Sequence, residues 1–341
     1  MTMKIFMPDM HLDFSYSMAK TLDMLGYVLY IPDGSFADHI KYGLKFIDKD
    51  HLIESSYKDY PLLKRRALEL TRLSNVRVIS YEELLSEDID LYISPCSEQD
   101  VNMHDLFHVH KSINKTLKMG HWSGNNSDLH RYRFDSMKNL FTGDINNYET
   151  AISSKKHVIY FFPYIDYDKY EYSGTSNSVF IRNYIINHAK YWREGWEIST
   201  VLKNVMSSEE MKEHVQFDLE PDCRMPPFDD IPPLMKNSMA TLHVKKKEGF
   251  GYAICHSLAS GRPLIMYNKY KDNKTYNNWC IHNETSIFFD RYEDLYIKLT
   301  RYIFDESYRY KLQENAARKI RQMINNEEQS ESLQKFLESL V

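Results

Sequence analysis

The sequence predicts an α/β protein with two parallel sheets that follow one another along the chain. Short apolar runs alternate with longer helical patterns through the first half, which is typical of strands joined by covering helices. A polar stretch at 171–177 interrupts the pattern, and the same alternation then restarts. Residues 292–341 carry only helical patterns.

The individual elements follow from these patterns in order. In the first half, strands are predicted at 3–8, 27–31, 76–80, 89–94, 115–120, 138–142 and 156–161. Helices are predicted at 16–26, 60–74, 103–113 and 145–153. In the second half, strands are predicted at 178–183, 213–218, 240–244, 263–267 and 285–289.

Two doubly wound units joined near 155–177 would face each other across a cleft. Ligands of such sheets bind beyond the carboxyl ends of the strands. We therefore expect one domain at 1–155, a second at 156–322, and a final helix at 323–341 that packs back on the first domain.

Bulk composition fits this reading. A chain of 341 residues suits two domains of ordinary size. Its 43% hydrophobic and 27% charged content is that of a globular protein. Lys and Arg number 43 against 48 Asp and Glu, a net charge of −5. A dedicated nucleic-acid binder would carry an excess of basic residues, so this class is disfavoured. The net charge does not exclude a local basic groove.

Cysteine spacing and the amino terminus indicate a cytoplasmic protein. The four cysteines lie far apart, which favours a reducing compartment over disulfides or structural zinc: Cys96, Cys223, Cys255 and Cys280. No signal peptide precedes Lys4, and the apolar run 158–165 is shorter than the roughly 20 residues that span a bilayer. His104, His108 and His110 have helical spacing but no carboxylate to complete a metal site, so no metal is predicted.

Residues 240–265 are the most informative segment. A strand enters a turn at Glu248-Gly249-Phe250-Gly251, and a helix then begins at Tyr252. Gly261 ends that helix, and Pro263 begins the next strand. A glycine turn into a helix presents free backbone N–H groups and the positive end of the helix dipole, which suit a diphosphate. The chain has neither GxGxxG nor GxxxxGK[ST], so a dinucleotide or P-loop site is not indicated.

This segment resembles the donor-binding motif of GT-B glycosyltransferases, in the large retaining family that includes sucrose and trehalose-phosphate synthases. The family pattern is E-x-F-G, four residues, a second Glu, then small residues and G-x-P. Six positions match in register: Glu248, Phe250, Gly251, Ala259, Gly261 and Pro263. His256 stands where the family usually has the second Glu, which holds the donor ribose.

Flanking segments extend the resemblance over roughly residues 155–322. Residues 161–170 are similar to the family's hinge segment, and 231–238 to the short helix before the donor-site strand. Residues 294–318 are similar to its closing helices. The first half of the chain resembles the family only in the order of strands and helices.

The resemblance implies a GT-B architecture of two Rossmann-like domains, with acceptor-side residues 1–155 and donor-binding residues 156–322. It implies retaining transfer from a nucleotide-diphospho-sugar without metal or cofactor. The acceptor could be a glycan, a small molecule or modified DNA.

The resemblance also implies roles for particular residues. Glu248 and His121 would hold the sugar, and Arg182 would bind the diphosphate. The remaining donor contacts would come from Gly249, Phe250, Gly251, Tyr252, His256 and either Lys190 or Arg193.

Each assignment has an ordinary alternative. Glu248 could be a solvated turn carboxylate, and His256 a buried polar residue bonded to backbone. Lys190, Arg193 and the run 245–247 could be surface charge. Two other functions stay open: a viral-type transferase that glycosylates modified DNA bases, and a non-catalytic sugar-binding or partner subunit.

Overall fold

A computed structural model describes residues 2–7, 12–33, 35–36, 61–95, 100–123, 137–174, 180–183, 216–218, 227–243, 251–270 and 274–340. The chain divides into two compact units. The first comprises Met1–Tyr164 and Asn325–Val341, and the second comprises Ile165–Ile324. Within the described ranges, no helix combines the length and apolar character needed to cross a bilayer.

Regular elements cover most of the described residues. The strands are β1 Lys4–Phe6, β2 Val28–Pro32, β3 Val76–Ile79, β4 Leu91–Pro95, β5 Lys118–Ser123, β6 Asn139–Thr142, β7 His157–Tyr160, β8 Phe180–Asn183, β9 Gln216–Asp218, β10 Ala240–His243, β11 Leu264–Tyr267 and β12 Ser286–Phe289. The α-helices are α1 Leu12–Met24, α2 Pro61–Thr71, α3 Tyr81–Ser86, α4 Asp100–Ile113, α5 Ile145–Ser153, α6 Ile231–Lys236, α7 Tyr252–Ala259, α8 Lys274–Trp279, α9 Tyr292–Phe304, α10 Glu306–Met323 and α11 Asn326–Glu338.

The first unit contains a seven-stranded sheet in the order β3-β2-β1-β4-β5-β6-β7. Every pairing in it is parallel. The order reverses between β1 and β4, which makes that position the switch point of a doubly wound sheet. The predicted α/β class with a parallel sheet is therefore confirmed for this half of the chain.

Strand β7 differs from the predicted division at 155/156. It pairs with β6 from Asn139↔His157 to Thr142↔Tyr160, so it belongs to the first sheet. The compact units divide at 164/165, nine residues later in the chain. A strand's own sequence does not reveal which sheet it joins, because the pairing partner is chosen by contacts distant in sequence.

Aromatic and aliphatic side chains fill the space between this sheet and its helices. One buried cluster contains Phe6, Phe36, Ile79, Leu84, Ile89, Tyr92, Leu106 and Leu117. Helix α11 also belongs to the first unit, where it packs against α1 and β7. There the Phe336 ring stacks on His157, with centroids 4.4 Å apart, and meets Phe141 edge-on at 4.9 Å.

The second unit contains a five-stranded parallel sheet in the order β12-β11-β10-β8-β9. This order corresponds to the flavodoxin-like doubly wound arrangement, whose switch point lies between its first and third strands. Those strands are β8 and β10. A buried cluster that includes Leu242, Ile265, Ile287, Leu299 and Tyr302 packs the sheet against α9 and α10.

A buried histidine, His110, ties α4 to the first sheet. Its Nε2 lies 3.2 Å from the Glu87 carbonyl oxygen, which can only accept, so Nε2 carries the proton. Nδ1 then accepts a hydrogen bond from the Tyr92 hydroxyl at 2.9 Å. This arrangement requires a neutral imidazole, and burial correspondingly lowers the pKa of His110 below its usual 6.5.

The free energy of unfolding of the first unit is therefore expected to fall on acidification. Below about pH 6.5 the unfolded chain gains a proton at His110 that the folded chain disfavours, at up to about 1.4 kcal/mol per pH unit. Urea unfolding at several pH values between 7 and 5 measures this slope. The variant His110→Gln should lose more of the slope than the control His108→Gln, whose side chain lies on the exposed face of the same helix. Equal slopes in the two variants would remove His110 as the cause.

Candidate functional site

Strand β10 lies at the switch point of the second sheet, and helix α7 follows it along the chain. All four residues of β10 are buried, and the strand lies between β8 and β11. Gly251 is the N-cap of α7, with a φ of 66° in the left-handed region. Glycine adopts this conformation without steric penalty, whereas other residues do so at a cost of about 1–2 kcal/mol. The glycine predicted to begin the helix is therefore required by the backbone.

The first turn of α7 presents backbone donors beyond the strand ends. The first intrahelical bond runs from Cys255 N to Gly251 O at 2.8 Å, so the preceding N–H groups have no acceptor within the helix. Such groups, together with the helix dipole, favour an anionic ligand. The arrangement can therefore stabilise negative charge at the carboxyl edge of the sheet.

Packing holds α7 firmly against β10. Every residue from Ala253 to Ala259 is buried. The Ser257 hydroxyl donates to Arg262 O at 2.8 Å and lies 2.8 Å from the Thr241 hydroxyl on β10. The body of α7 is thus fixed by the core of the unit.

His256 lies within this packed helix and is 8% exposed. Its ring stacks on Tyr170, with centroids 4.9 Å apart and planes 9° from parallel. The Tyr252 ring lies nearby at 6.3 Å in a tilted orientation. Tyr170 comes from the segment predicted as a hinge, where its backbone N–H bonds Asp166 O at 3.0 Å. The stack gives His256 a packing role in addition to any contact with a ligand.

The carboxyl end of α7 is shaped by Gly261 and Arg262. Gly261 has a φ of 68° and donates to Leu258 O at 2.9 Å, as expected of a residue that ends a helix. Arg262 is 1% exposed, and its guanidinium donates to the carbonyls of Met235, Lys236, Gly174 and Gly261. The arginine thereby caps α6 and joins it to the turn before β11.

Arg182 is the third residue of β8. Its backbone pairs with Thr241 of β10 on one side and Asp218 of β9 on the other. This places the Arg182 backbone beside β10, one residue before the end of its own strand. The other predicted donor residues fall outside the described residues, namely Glu248, Gly249, Phe250, Lys190 and Arg193, as does the lysine run 245–247.

His121 lies inside β5 and not just beyond the end of the strand predicted at 115–120. Strand β5 continues to Ser123, and His121 pairs with Ser94 on β4 and Leu140 on β6. The residue is 3% exposed, with both ring nitrogens shielded from solvent. The predicted strand, 115–120, was placed three residues too early at each end. Gly120 lies within β5 and admits the Phe141 ring, whose Cε2 lies 2.5 Å from where a Cβ would stand.

A buried polar network beyond β5 and β6 was not predicted. The Thr142 hydroxyl donates to Ser123 O at 3.0 Å, and Asn147 Nδ2 donates to Ser123 Oγ at 2.5 Å. Asp144 caps α5 by accepting from Asn147 N at 2.9 Å. An Asp before a helical pattern is a recognisable N-cap signal, so the sequence contained a clue to this cluster.

Among the residues that the structure describes, no group of three or more His, Cys, Asp or Glu side chains could hold a metal ion. His110, one of the three helically spaced histidines, is instead engaged with Tyr92 and Glu87. His108 is exposed.

Comparison with known proteins identifies the fold. No protein-family model matches the chain, and no curated protein matches it by sequence. HepE from Anabaena, in complex with UDP and glucose, is similar with a TM-score of 0.60 and 11% identity, covering 99% of this chain and 100% of HepE. A glycosyltransferase from Rickettsia africae has a TM-score of 0.57 and 11% identity, covering 99% and 98%.

Sucrose-phosphate synthase from Thermosynechococcus elongatus is also similar, with a TM-score of 0.54 and 10% identity, covering 99% of each chain. Such low identities establish the fold alone. The chain has the α/β fold of GT-B-type glycosyltransferases, with a parallel sheet of seven strands and a second parallel sheet.

Proposed function

We propose that this protein is a glycosyltransferase that moves a sugar from a nucleotide-diphospho-sugar to an acceptor, with retention of configuration. The observation that carries the proposal is the start of α7 at the β8/β10 switch point, behind a left-handed Gly251. The fold is shared with HepE, whose structure contains UDP and glucose. Under this proposal, the second unit is the donor-binding domain and the first is the acceptor-side domain.

The diphosphate is assigned to the start of α7, with contacts from 249–252. Neighbouring strands lie about 4.8 Å apart, so Arg182 on β8 starts from a backbone position close to β10. Arg182, with Lys190 or Arg193, supplies positive charge as the diphosphate departs. Fixed dipoles and cations that point at the negative charge developing on the diphosphate accelerate the reaction effectively. The proposed mechanism uses neither metal nor cofactor.

The sugar is assigned to Glu248 and His121, and the ribose to His256. These roles rest on the motif resemblance rather than on contacts. Because His121 is buried, a packing role is the alternative to its role in sugar binding. For His256, the stack on Tyr170 supports the same alternative to ribose binding. The acceptor remains open among a glycan, a small molecule and modified DNA.

A thermal-shift screen against nucleotide-sugars, paired with an assay for nucleoside diphosphate release, tests the proposal. A ligand present at 100 times its Kd should stabilise the protein by roughly 2.7 kcal/mol. We expect at least one nucleotide-sugar to do so and to be turned over or slowly hydrolysed. If no nucleotide-sugar stabilises the protein or is hydrolysed, the proposal fails in favour of a non-catalytic role. Salt-dependent affinity for duplex DNA would instead identify DNA as the acceptor.

Substitution of His256 separates its two roles. If the imidazole bonds the ribose, His256→Ala should raise the donor KM about two- to twelve-fold, the value of one neutral hydrogen bond, with a smaller effect on kcat. His256→Glu should then be tolerated, because it restores the carboxylate of the resembled motif. If His256 acts only by packing on Tyr170, both variants should lower Tm, Glu more than Ala, and leave the donor KM unchanged. Steady-state kinetics and thermal unfolding of both variants measure the difference.

A further inference from the structure

A pocket lies beyond the carboxyl ends of β11 and β12. It encloses about 360 Å³ and opens to solvent. Its polar lining includes Asn268, which follows β11, Asp290, which follows β12, and also Lys298 of α9 and Asn277 of α8. None of its lining residues belongs to β10 or α7. The ends of β11 and β12 lie about 4.8 Å and roughly 10 Å from β10, so the pocket lies beside the proposed diphosphate site and shares no described residue with it.

Two hydrogen-bond acceptors stand side by side in this lining. Asn268 Nδ2 donates to Asp290 Oδ1 at 2.7 Å, which orients both side chains. Asp290 Oδ2 and Asn268 Oδ1 have no partner among the described residues. The oriented pair can therefore accept hydrogen bonds from neighbouring donors on one ligand.

Hydrogen-bond donors face the same space. The His282 Nδ1 atom accepts from Phe288 N at 3.0 Å, so a neutral ring carries its proton on Nε2. Partial burial, followed by the Lys298 charge, lowers the pKa of His282 and favours that neutral form. Lys298 Nζ donates to Phe288 O at 2.6 Å and to Asp294 Oδ2 at 2.8 Å, so two of its three N–H groups have partners among the described residues and the third has none there.

Charge and lining together define the class of ligand. The Lys298 charge is already balanced by Asp294, and Asp290 adds a negative charge, so a phosphate is disfavoured. The lining also contains apolar surface from Cys280, Ile281 and Phe288. A sugar ring matches this combination because each hydroxyl both donates and accepts, while its C–H groups form an apolar face. The volume is near the lower end of the roughly 300–1,000 Å³ usual for ligand pockets.

We infer that this pocket binds a neutral carbohydrate, a mono- or disaccharide unit, at a site separate from the donor site. Asp290 and Asn268 accept hydrogen bonds from adjacent hydroxyls, and His282 and Lys298 donate to others. The inference depends on the pocket alone and does not require that the protein transfer sugars.

Saturation-transfer NMR on the full chain, with glucose, N-acetylglucosamine and maltose as probes, tests the inference. We expect a signal from at least one probe. Asp290→Ala should weaken its binding by about tenfold or more, since a hydrogen bond to a charged group is lost. The exposed Glu293→Gln on α9 is the matched control and should bind as the parent does. Glu248→Ala should also retain binding, which separates this pocket from the proposed donor sugar site.

Several outcomes would overturn the inference. The inference fails if no probe gives a signal, or if binding survives both Asp290→Ala and Asn268→Ala. It also fails if binding is lost in Glu248→Ala, or if inorganic phosphate displaces the sugar. Thermal unfolding checks that each variant is folded, and Asn268→Ala provides a second variant if Asp290→Ala is not. Absence of glycosyltransferase activity would contradict the proposed function but would not contradict carbohydrate binding in this pocket.

Discussion

Replacement of Glu248 by Ala is expected to lower kcat/KM for the donor by roughly 100- to 1,000-fold, the 2.7–4 kcal/mol associated with loss of one transition-state contact. The residue precedes Gly251, the N-cap of α7, by three positions in the sequence. The proposed function places its carboxylate on the hydroxyls of the donor sugar. A carboxylate that contacts the sugar rather than the core contributes little to packing, so Tm should change little.

Initial rates of nucleoside diphosphate release, measured over a range of donor concentrations, give kcat and KM for the Glu248 variants. Glu248→Gln keeps the size of the side chain and should restore only part of the activity if negative charge is needed. Glu293→Ala, an exposed carboxylate of the same unit, controls for a general change in charge. Full activity in Glu248→Ala would remove this residue from the site.

The Gly261→Ala variant is expected to lose about 2–5 kcal/mol of unfolding free energy in the second unit, the sum of two effects. A left-handed φ of 68° costs a residue with a Cβ about 1–2 kcal/mol. The added Cβ would also lie 2.4 Å from Cδ2 of Tyr172, and relief of such overpacking typically costs about 1–3 kcal/mol. Tyr172 cannot move freely, because its hydroxyl donates to Gln313, which in turn bonds the buried Tyr302.

Gly174→Ala is the matched control for Gly261→Ala in the same unit. Gly174 also has a positive φ, 87°, but a Cβ there would meet no atom of the described residues within 4 Å. It should therefore show the backbone penalty without the clash. Urea unfolding of both variants measures the difference. Equal losses would show that Tyr172 adjusts without cost and would contradict the packing argument.

Much of the secondary structure was predictable because it is a local property of the sequence. All twelve described strands overlap their predicted positions, including the short β8 and β9. Helix α3 was missed although its signal is present. Ser80 and Glu83 form a capping box, in which the Ser80 side chain accepts from Glu83 N and the Glu83 side chain accepts from Ser80 N. The helix has only six residues, too few for a clear hydrophobic period.

The two ends of α7 were predictable because their sequence signal is short-range. Gly251 begins α7, and Gly261 ends it, because only glycine adopts their left-handed conformations easily. The predicted end of β5 was wrong, because continuation of the strand past Gly120 depends on its pairing with β4 and β6. The buried state of a strand histidine is decided by those neighbours.

The α/β alternation, the strand at 240–243, the helix at 252–259 and the glycines at the two ends of that helix could all be predicted from local sequence. Long-range packing places β8 beside β10, joins β7 to the first sheet, stacks Tyr170 on His256 and puts Arg262 at the end of α6. Hydrophobic period and backbone preference act over a few residues, so they can be read from the chain. Strand order, ring stacking and the burial of an arginine depend on free energies shared among segments far apart in sequence, which no local pattern contains.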